Sequence, residues 1–296
     1  MKKNFGMIIA GVVAISALTA CGSSKTPETT AAAAETTATA TEAATDAATE
    51  AATDAAQDQA TAVETATGKF TVGFDQEFPP MGFVGDDGQY TGFDLVLAEE
   101  VAKRLGLEFV PQPINWDAKD MELEAGNIDC IWNGFTMQGR EDDYTWVGPY
   151  MSNDQVFVVA GDAEITSQAD LAGKAVEVQK DSSGLNAINS NPDLLATFGQ
   201  LTEVADYNTA LMDLESGACD AVCMDSIVAG YQIKSSGKNM KILDDTLAAE
   251  EYGIGFKKGD DALAQAVSDT LKEMASDGTV EKISNDWFGS NVFTLK

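Results

Sequence analysis

The stretch WNGFTMQGREDDYTWVGPY, residues 132–150, sets Arg140 directly before Glu141, Asp142 and Asp143, in a chain with only one other arginine, Arg104. A guanidinium offers a planar pair of donors that fits a carboxylate in a way an ammonium does not. Just upstream, Thr136 adds a hydroxyl and a backbone amide, and Gly134 lets a ligand approach the main chain. Two readings compete: Arg140 neutralises the acidic triplet that follows it, or it is held for an anion. Ser182 and Ser183 follow a strand-like run and open a helical one. Hydroxyls and free amides at such a start cap the helix and also attract an anion. Asp225 ends the apolar run CDAVCM, where it can cap the following SIVAGYQ.

Bulk composition narrows the chemistry further. The chain has 296 residues, 48 acidic against 18 basic, a formal charge of −30 and no histidine. Such a charge repels polyphosphates and anionic headgroups, which argues against nucleic acid or a bare membrane surface as partner. Without histidine, a serine triad and a histidine-bound metal are both excluded, while carboxylate chemistry stays open. No cofactor and no metal are expected. Cys130, Cys219 and Cys223 sit in apolar, strand-like contexts (IDCIW, ACDAVCM) and read as buried small hydrophobes.

The elements that must position these residues begin at Lys69. KFTVGF reads as a strand, and GFDLVLAEEVAKRLG as an amphipathic helix with Phe93, Leu97, Val101 and Leu105 at spacing four. Asp94 suits the N-terminal turn of that helix. LEFVPQPI reads as a strand, about 117–125 as a helix, and IDCIW as a buried strand. After residue 160 the alternation returns: KAVEVQ, a helix from about Ser183, LTEVA, a helix from about Asn208, CDAVCM, a helix from about Ser226, and KIL. YGIGF and two helices, about 260–276 and 279–288, close the chain. Strands alternating with helices predict an α/β fold with a mostly parallel sheet covered on both faces.

Residues 1–68 read differently. Lys2 and Lys3 precede an apolar run from Met7 to Ala20, the length of a signal-peptide core and too short to span a bilayer. It ends in Leu18, Thr19, Ala20 and Cys21, which resembles the lipobox of bacterial lipoproteins and implies a lipid (diacylglycerol, with palmitate) on Cys21. From Ser23 to Thr67 the composition collapses to Ala, Thr, Glu and Asp, as in TEAATDAATEAATDAA at 41–56. Too little apolar surface is available there to offset ordering entropy, so 21–68 reads as a lipidated, disordered tether. As a coil it would hold the folded body roughly 40 Å from its anchor.

Several pieces in order resemble the polar-amino-acid-binding proteins of ABC importers, solute-binding family 3. They are VGFDQEFPPMGF, GQYTGFDLVLAEEVAKRLG, the segment from WDAKDMELEAGNIDCIWNGFT to GPY, VEVQKDSS, CDAVCMDS, YGIGFKKG and DGTVEKISNDWFG, spanning Lys69 to Phe288. The resemblance implies a two-lobed, type II periplasmic-binding-protein-like fold. Two crossover strands, near 156–160 and 247–253, would join lobe 1 (69–157 and 251–296) to lobe 2 (158–250), with a ligand between them. It implies that Arg140 and Thr136 hold a ligand carboxylate together with Ser182 and Ser183, and that Asp225 accepts the ligand ammonium. Phe78 and Trp116 would pack against the side chain, and Asp75 would meet the ammonium or a polar side chain. In the family the Thr and Arg are usually five positions apart; here they are four apart, with Gly139 in the shortened turn. The implied partners are a free amino acid, ABC permease subunits and, through Cys21, the outer face of the cell membrane, with the protein a monomer. The competing readings are an enzyme on the same fold, resembling cyclohexadienyl or arogenate dehydratases, and a stand-alone amino-acid sensor.

Overall fold

The computed structural model describes residues 67–296. The leader, Cys21 and almost all of the tether fall outside the described residues. The described residues hold twelve strands and eight helices; the longer ones follow the alternation that the sequence predicts, while three strands of two or three residues and a four-residue helix are additions to it. The chain begins with β1 (Lys69–Phe74), then the short β2 (Glu77–Phe78), β3 (Gly82–Val84) and β4 (Tyr90–Thr91), α1 (Phe93–Leu105) and β5 (Glu108–Pro113). Next come α2 (Lys119–Glu124), β6 (Cys130–Thr136), the 17-residue β7 (Tyr144–Ala160), β8 (Ala175–Gln179), α3 (Ser183–Asn189), α4 (Pro192–Leu195) and β9 (Gln200–Val204). The remainder is α5 (Tyr207–Ser216), β10 (Ala221–Asp225), α6 (Ser226–Ser236), β11 (Met240–Ile242), β12 (Ala248–Lys257), α7 (Asp261–Ser276) and α8 (Thr279–Phe288).

The main sheet runs β5-β1-β6-β12-β7-β10-β8-β9, with β11 alongside β7. Parallel pairing holds within β5-β1-β6 and within β10-β8-β9, whereas β12 and β7 run antiparallel to their neighbours. The sheet is therefore mixed, and its antiparallel centre is what divides it. Along β7, Tyr144–Gln155 pairs with β12, while Gln155–Ala160 pairs with β10 and β11. Two long strands thus pass from a first lobe, built on β1, β5, β6 and the returning α7 and α8, into a second built on β8 to β11. The change of partner in β7 falls at Gln155, just ahead of the 156–160 segment expected from the sequence. β12 likewise starts four residues before YGIGF and supplies the second passage.

The apolar stripe of α1 explains its seat. Phe93, Leu97 and Val101 are fully buried and Leu105 packs at the edge of the same cluster. Burying one such side chain contributes about 1.5–3 kcal/mol, so the stripe fixes the rotation of the helix. Glycine in a left-handed conformation ends it at Gly106. Asp94 lies in the first turn of α1, as expected, but it does not cap the helix. Gly92 holds the N-cap position, and the Asp94 carboxylate turns inward to accept from the Gly134 N–H (2.7 Å) and the Tyr150 hydroxyl (2.8 Å). The expected 117–125 helix is a single 3-10 turn, Trp116–Ala118, followed by α2. Cys130, Cys219 and Cys223 are buried free thiols.

Candidate functional site

Arg140 owes its position to the short spacing after β6. Met137 to Arg140 form a turn closed by the Arg140 N–H donating to the Met137 carbonyl (3.0 Å), with Gly139 in the left-handed region at φ 79°. This folds the guanidinium back along the strand. Nη1 donates to the Thr136 carbonyl (3.2 Å), Nη2 to the Asp181 carbonyl (3.3 Å), and the group lies 5.1 Å from the Phe135 ring centroid. The residue is only 8% exposed. Among the described residues no carboxylate pairs with it, including Glu141, Asp142 and Asp143, so neutralising the triplet is not its role.

Gly134 precedes it in β6 at φ 56°, and a Cβ there would meet the Phe78 ring at 3.0 Å and the Tyr252 ring at 3.2 Å. The Thr136 hydroxyl is buried without a hydrogen-bond partner. A buried hydroxyl left unpaired is unfavourable, and it marks a place where a ligand atom would be welcome.

The second lobe faces these residues with two strand ends. Ser182 caps α3, its Oγ accepting from the Leu185 N–H at 3.1 Å, and the Ser183 Oγ accepts from Gln155 Nε2 at 3.1 Å. Asp225 stands at the N-cap position of α6 but makes no capping bond. Its Oδ1 accepts from the Tyr252 hydroxyl (2.7 Å) and Asn153 Nδ2 (2.9 Å), and its Oδ2 from the Tyr207 hydroxyl (3.1 Å). Burial first, and then the neighbouring Glu250 carboxylate, push the Asp225 carboxyl well above the usual range. Asn153 Nδ2 also reaches Glu250 Oε1 (2.7 Å), as does Gln155 Nε2 (2.9 Å).

These groups meet. Phe78, Trp116, Gly134, Thr136, Arg140, Ser182, Ser183 and Asp225 line, with Gln179 and Tyr207, one small, tightly closed cavity. Asp75 stands apart from the others. It borders a wider outer cleft with Glu77, Trp116, Asp117, Lys180 and Asp206, and touches the inner cavity through Gln179, whose Nε2 donates to Asp75 Oδ2 at 2.7 Å. Burial pushes the Asp75 carboxyl up to about 6. Gln179 and Tyr207 escaped the sequence reading. Both follow the rule that sites gather at the carboxyl ends of parallel strands: Gln179 ends β8, and Tyr207 opens the helix after β9. Among the described residues no cluster of metal ligands occurs, and no helix is long and apolar enough to cross a membrane.

A family model described as bacterial extracellular solute-binding proteins, family 3, matches residues 70–290. The chain belongs to that family. The L-cystine-binding protein TcyJ of Escherichia coli (strain K12) is 32% identical over 231 residues, which cover 76% of this chain and 84% of that protein. The L-cystine-binding protein TcyA of Bacillus subtilis (strain 168) is 32% identical over 230 residues, 76% of this chain and 83% of that one. Among solved structures, an ABC uptake transporter substrate-binding protein from Streptococcus pneumoniae with bound histidine superposes with a TM-score of 0.75. It shares 33% identity and covers 77% of this chain and 96% of its own. The two-lobed architecture is that of family 3.

Proposed function

We propose that this family 3 protein captures a free amino acid between its lobes and delivers it to the permease of an ABC-type importer, while a lipid on Cys21 holds it outside the cytoplasm. The observation that carries the reading is the pairing of opposite chemistries around one cavity. Arg140, the unpartnered Thr136 hydroxyl and the start of α3 offer donors to a carboxylate. Asp225, buried to 3% exposure with no cation beside it among the described residues, offers an acceptor to an ammonium. An unpaired charge is unfavourable where it is buried, and a zwitterion relieves both Arg140 and Asp225. Phe78 and Trp116 flank the space left for the side chain, which would point towards Gln179 and Asp75. A ligand that touches both lobes favours their closed arrangement by the difference in its affinity for the two states.

The dehydratase reading asks for a carboxylic acid that donates a proton within the cleft. Asp225 has a raised pKa, but three donors converge on its two oxygens, an arrangement suited to accepting a cation. Turnover of an added cyclohexadienyl acid would favour the enzyme.

A thermal-shift screen of the twenty amino acids, L-cystine and ornithine tests the proposal. A ligand bound only by the folded state adds about 2.7 kcal/mol of stability at a hundred times its Kd. At least one compound is expected to raise the melting temperature, and L-cystine heads the trial because two relatives carry its name. No rise with any of them would contradict the reading.

A further inference from the structure

We infer that Asp181 is a positioning residue: with Lys119 it forms an interlobe latch that sets how readily the lobes close over the cavity. The latch takes its purpose from the amino-acid-capture reading, but its chemistry stands on geometry alone. Lys119 opens α2 in the first lobe, and its side chain is only 2% exposed, a state lysine reaches when it is paired. Its Nζ meets Asp181 Oδ2, approaches the Asp181 carbonyl at 3.5 Å, and lies 5.4 Å from the centroid of Trp116, a wall of the cavity. The next carboxylate, Asp120, is 3.9 Å away and mostly exposed.

Asp181 belongs to the second lobe, in the loop from β8 into α3. At φ 54° it is the one non-glycine residue in the left-handed region among the described residues, a conformation that aspartate tolerates better than most. The turn aims its carbonyl at Arg140 Nη2 and leaves its carboxylate to Lys119. One residue of the second lobe therefore receives both buried cations of the first, immediately before Ser182 and Ser183. A second cross-lobe pair, Lys180 with Asp117 at 3.0 Å, is about half exposed on each side, where water and salt weaken it.

The energetics separate this latch from an ordinary surface pair. An ammonium buried beside its carboxylate is tolerated, whereas the same ammonium buried alone is strongly unfavourable. The pair spans the lobes, so it exists only when they are closed. Removing the Asp181 carboxylate then penalises closure specifically, and removing the Lys119 charge as well relieves the penalty.

The test uses the full chain carrying spin labels at Glu108→Cys and Asp193→Cys, exposed positions on opposite lobes, in a protein whose described native thiols are buried. Interlobe distances are measured without ligand and with L-cystine, L-histidine or L-arginine as probes. In Asp181→Gly, which keeps the backbone turn and carbonyl, the probe concentration at half-closure is expected to rise about tenfold or more, and the ligand-free short-distance fraction to fall. Adding Lys119→Met should recover most of that loss, the signature of a coupled pair. Asp181→Asn, which also tolerates the turn, is the second variant should glycine unfold the loop. Matching distances and midpoints in wild type and Asp181 variants, or a double variant as open as the single, would overturn the latch. If none of the three probes closes the wild type, the full thermal-shift screen decides amino-acid capture on its own, and the ligand-free distances still decide the latch.

Discussion

Arg140 and Asp225 carry opposite charges into one cavity, and neither has an oppositely charged side-chain partner among the described residues. For Asp225 this has a pH consequence. Only the ionised carboxylate accepts an ammonium, and burial raises the pKa of the unliganded group, so a bound proton competes with the ligand. Affinity should therefore fall as pH drops from 8 to 6, by up to about tenfold per unit. Asp225→Asn should bind weakly with no such slope; a flat wild-type profile in calorimetric titrations would contradict this. Asp94 gives a separate effect on stability. Burial lifts its carboxyl from 3.8 to about 7, so the native state binds a proton more readily than the unfolded chain between those values. Its charge is a penalty above pH 7 that is progressively relieved as pH falls towards 4. Asp94→Asn should flatten that segment of the stability curve in denaturant titrations at pH 5 and 8, and an unchanged slope would refute the assignment. At this scale the cavity was largely legible, because charged or aromatic residues at strand ends and helix starts stand out. Gln179 was missed because an uncharged polar residue there carries little signal. Tyr207 reads as core until the fold turns it towards Asp225.

The sequence marks the elements that hold the site unevenly, for physical reasons. α3, α6 and α8 begin where expected, because serine, aspartate and glycine punctuation marks each start. β2, β3 and β4 were not seen, since strands of two or three residues hold too little pattern to register. The length of β7 is hidden in the sequence because Gly148, Pro149, Ser152, Asn153 and Asp154 interrupt its apolar pattern ahead of the change of partner at Gln155. The end of β6 is the most demanding element. Gly134 sits in the left-handed region against the Phe78 and Tyr252 rings, while its N–H is fixed by Asp94. Gly134→Ala should destabilise the protein by at least about 1–2 kcal/mol from backbone conformation alone. It should also weaken ligand binding, since Thr136 and Arg140 follow on the same strand and turn. Wild-type values for both, by denaturation and titration, would show that the strand end adapts.

For the whole molecule, the proposal joins a ligand-binding body to a tether that would end at a lipidated cysteine. The apolar run ahead of Cys21 and the acidic, alanine-rich stretch rest on composition and motif alone, so the proposed anchor calls for a test in cells. Cys21→Ala should move the protein from the membrane fraction to the soluble one, and persistent membrane association would point to another anchor. The two-lobed plan was legible only as a resemblance, because alternating strands and helices alone do not say which strands cross between lobes. The central claim is that Arg140 is held for a ligand carboxylate. Calorimetric titration of wild type and Arg140→Ala with the best amino acid from the thermal screen tests it most directly. A desolvated carboxylate that loses its charged partner should bind weaker by at least about 3 kcal/mol, a hundredfold or more in Kd, with the fold intact. Equal affinity in the two proteins would contradict the account.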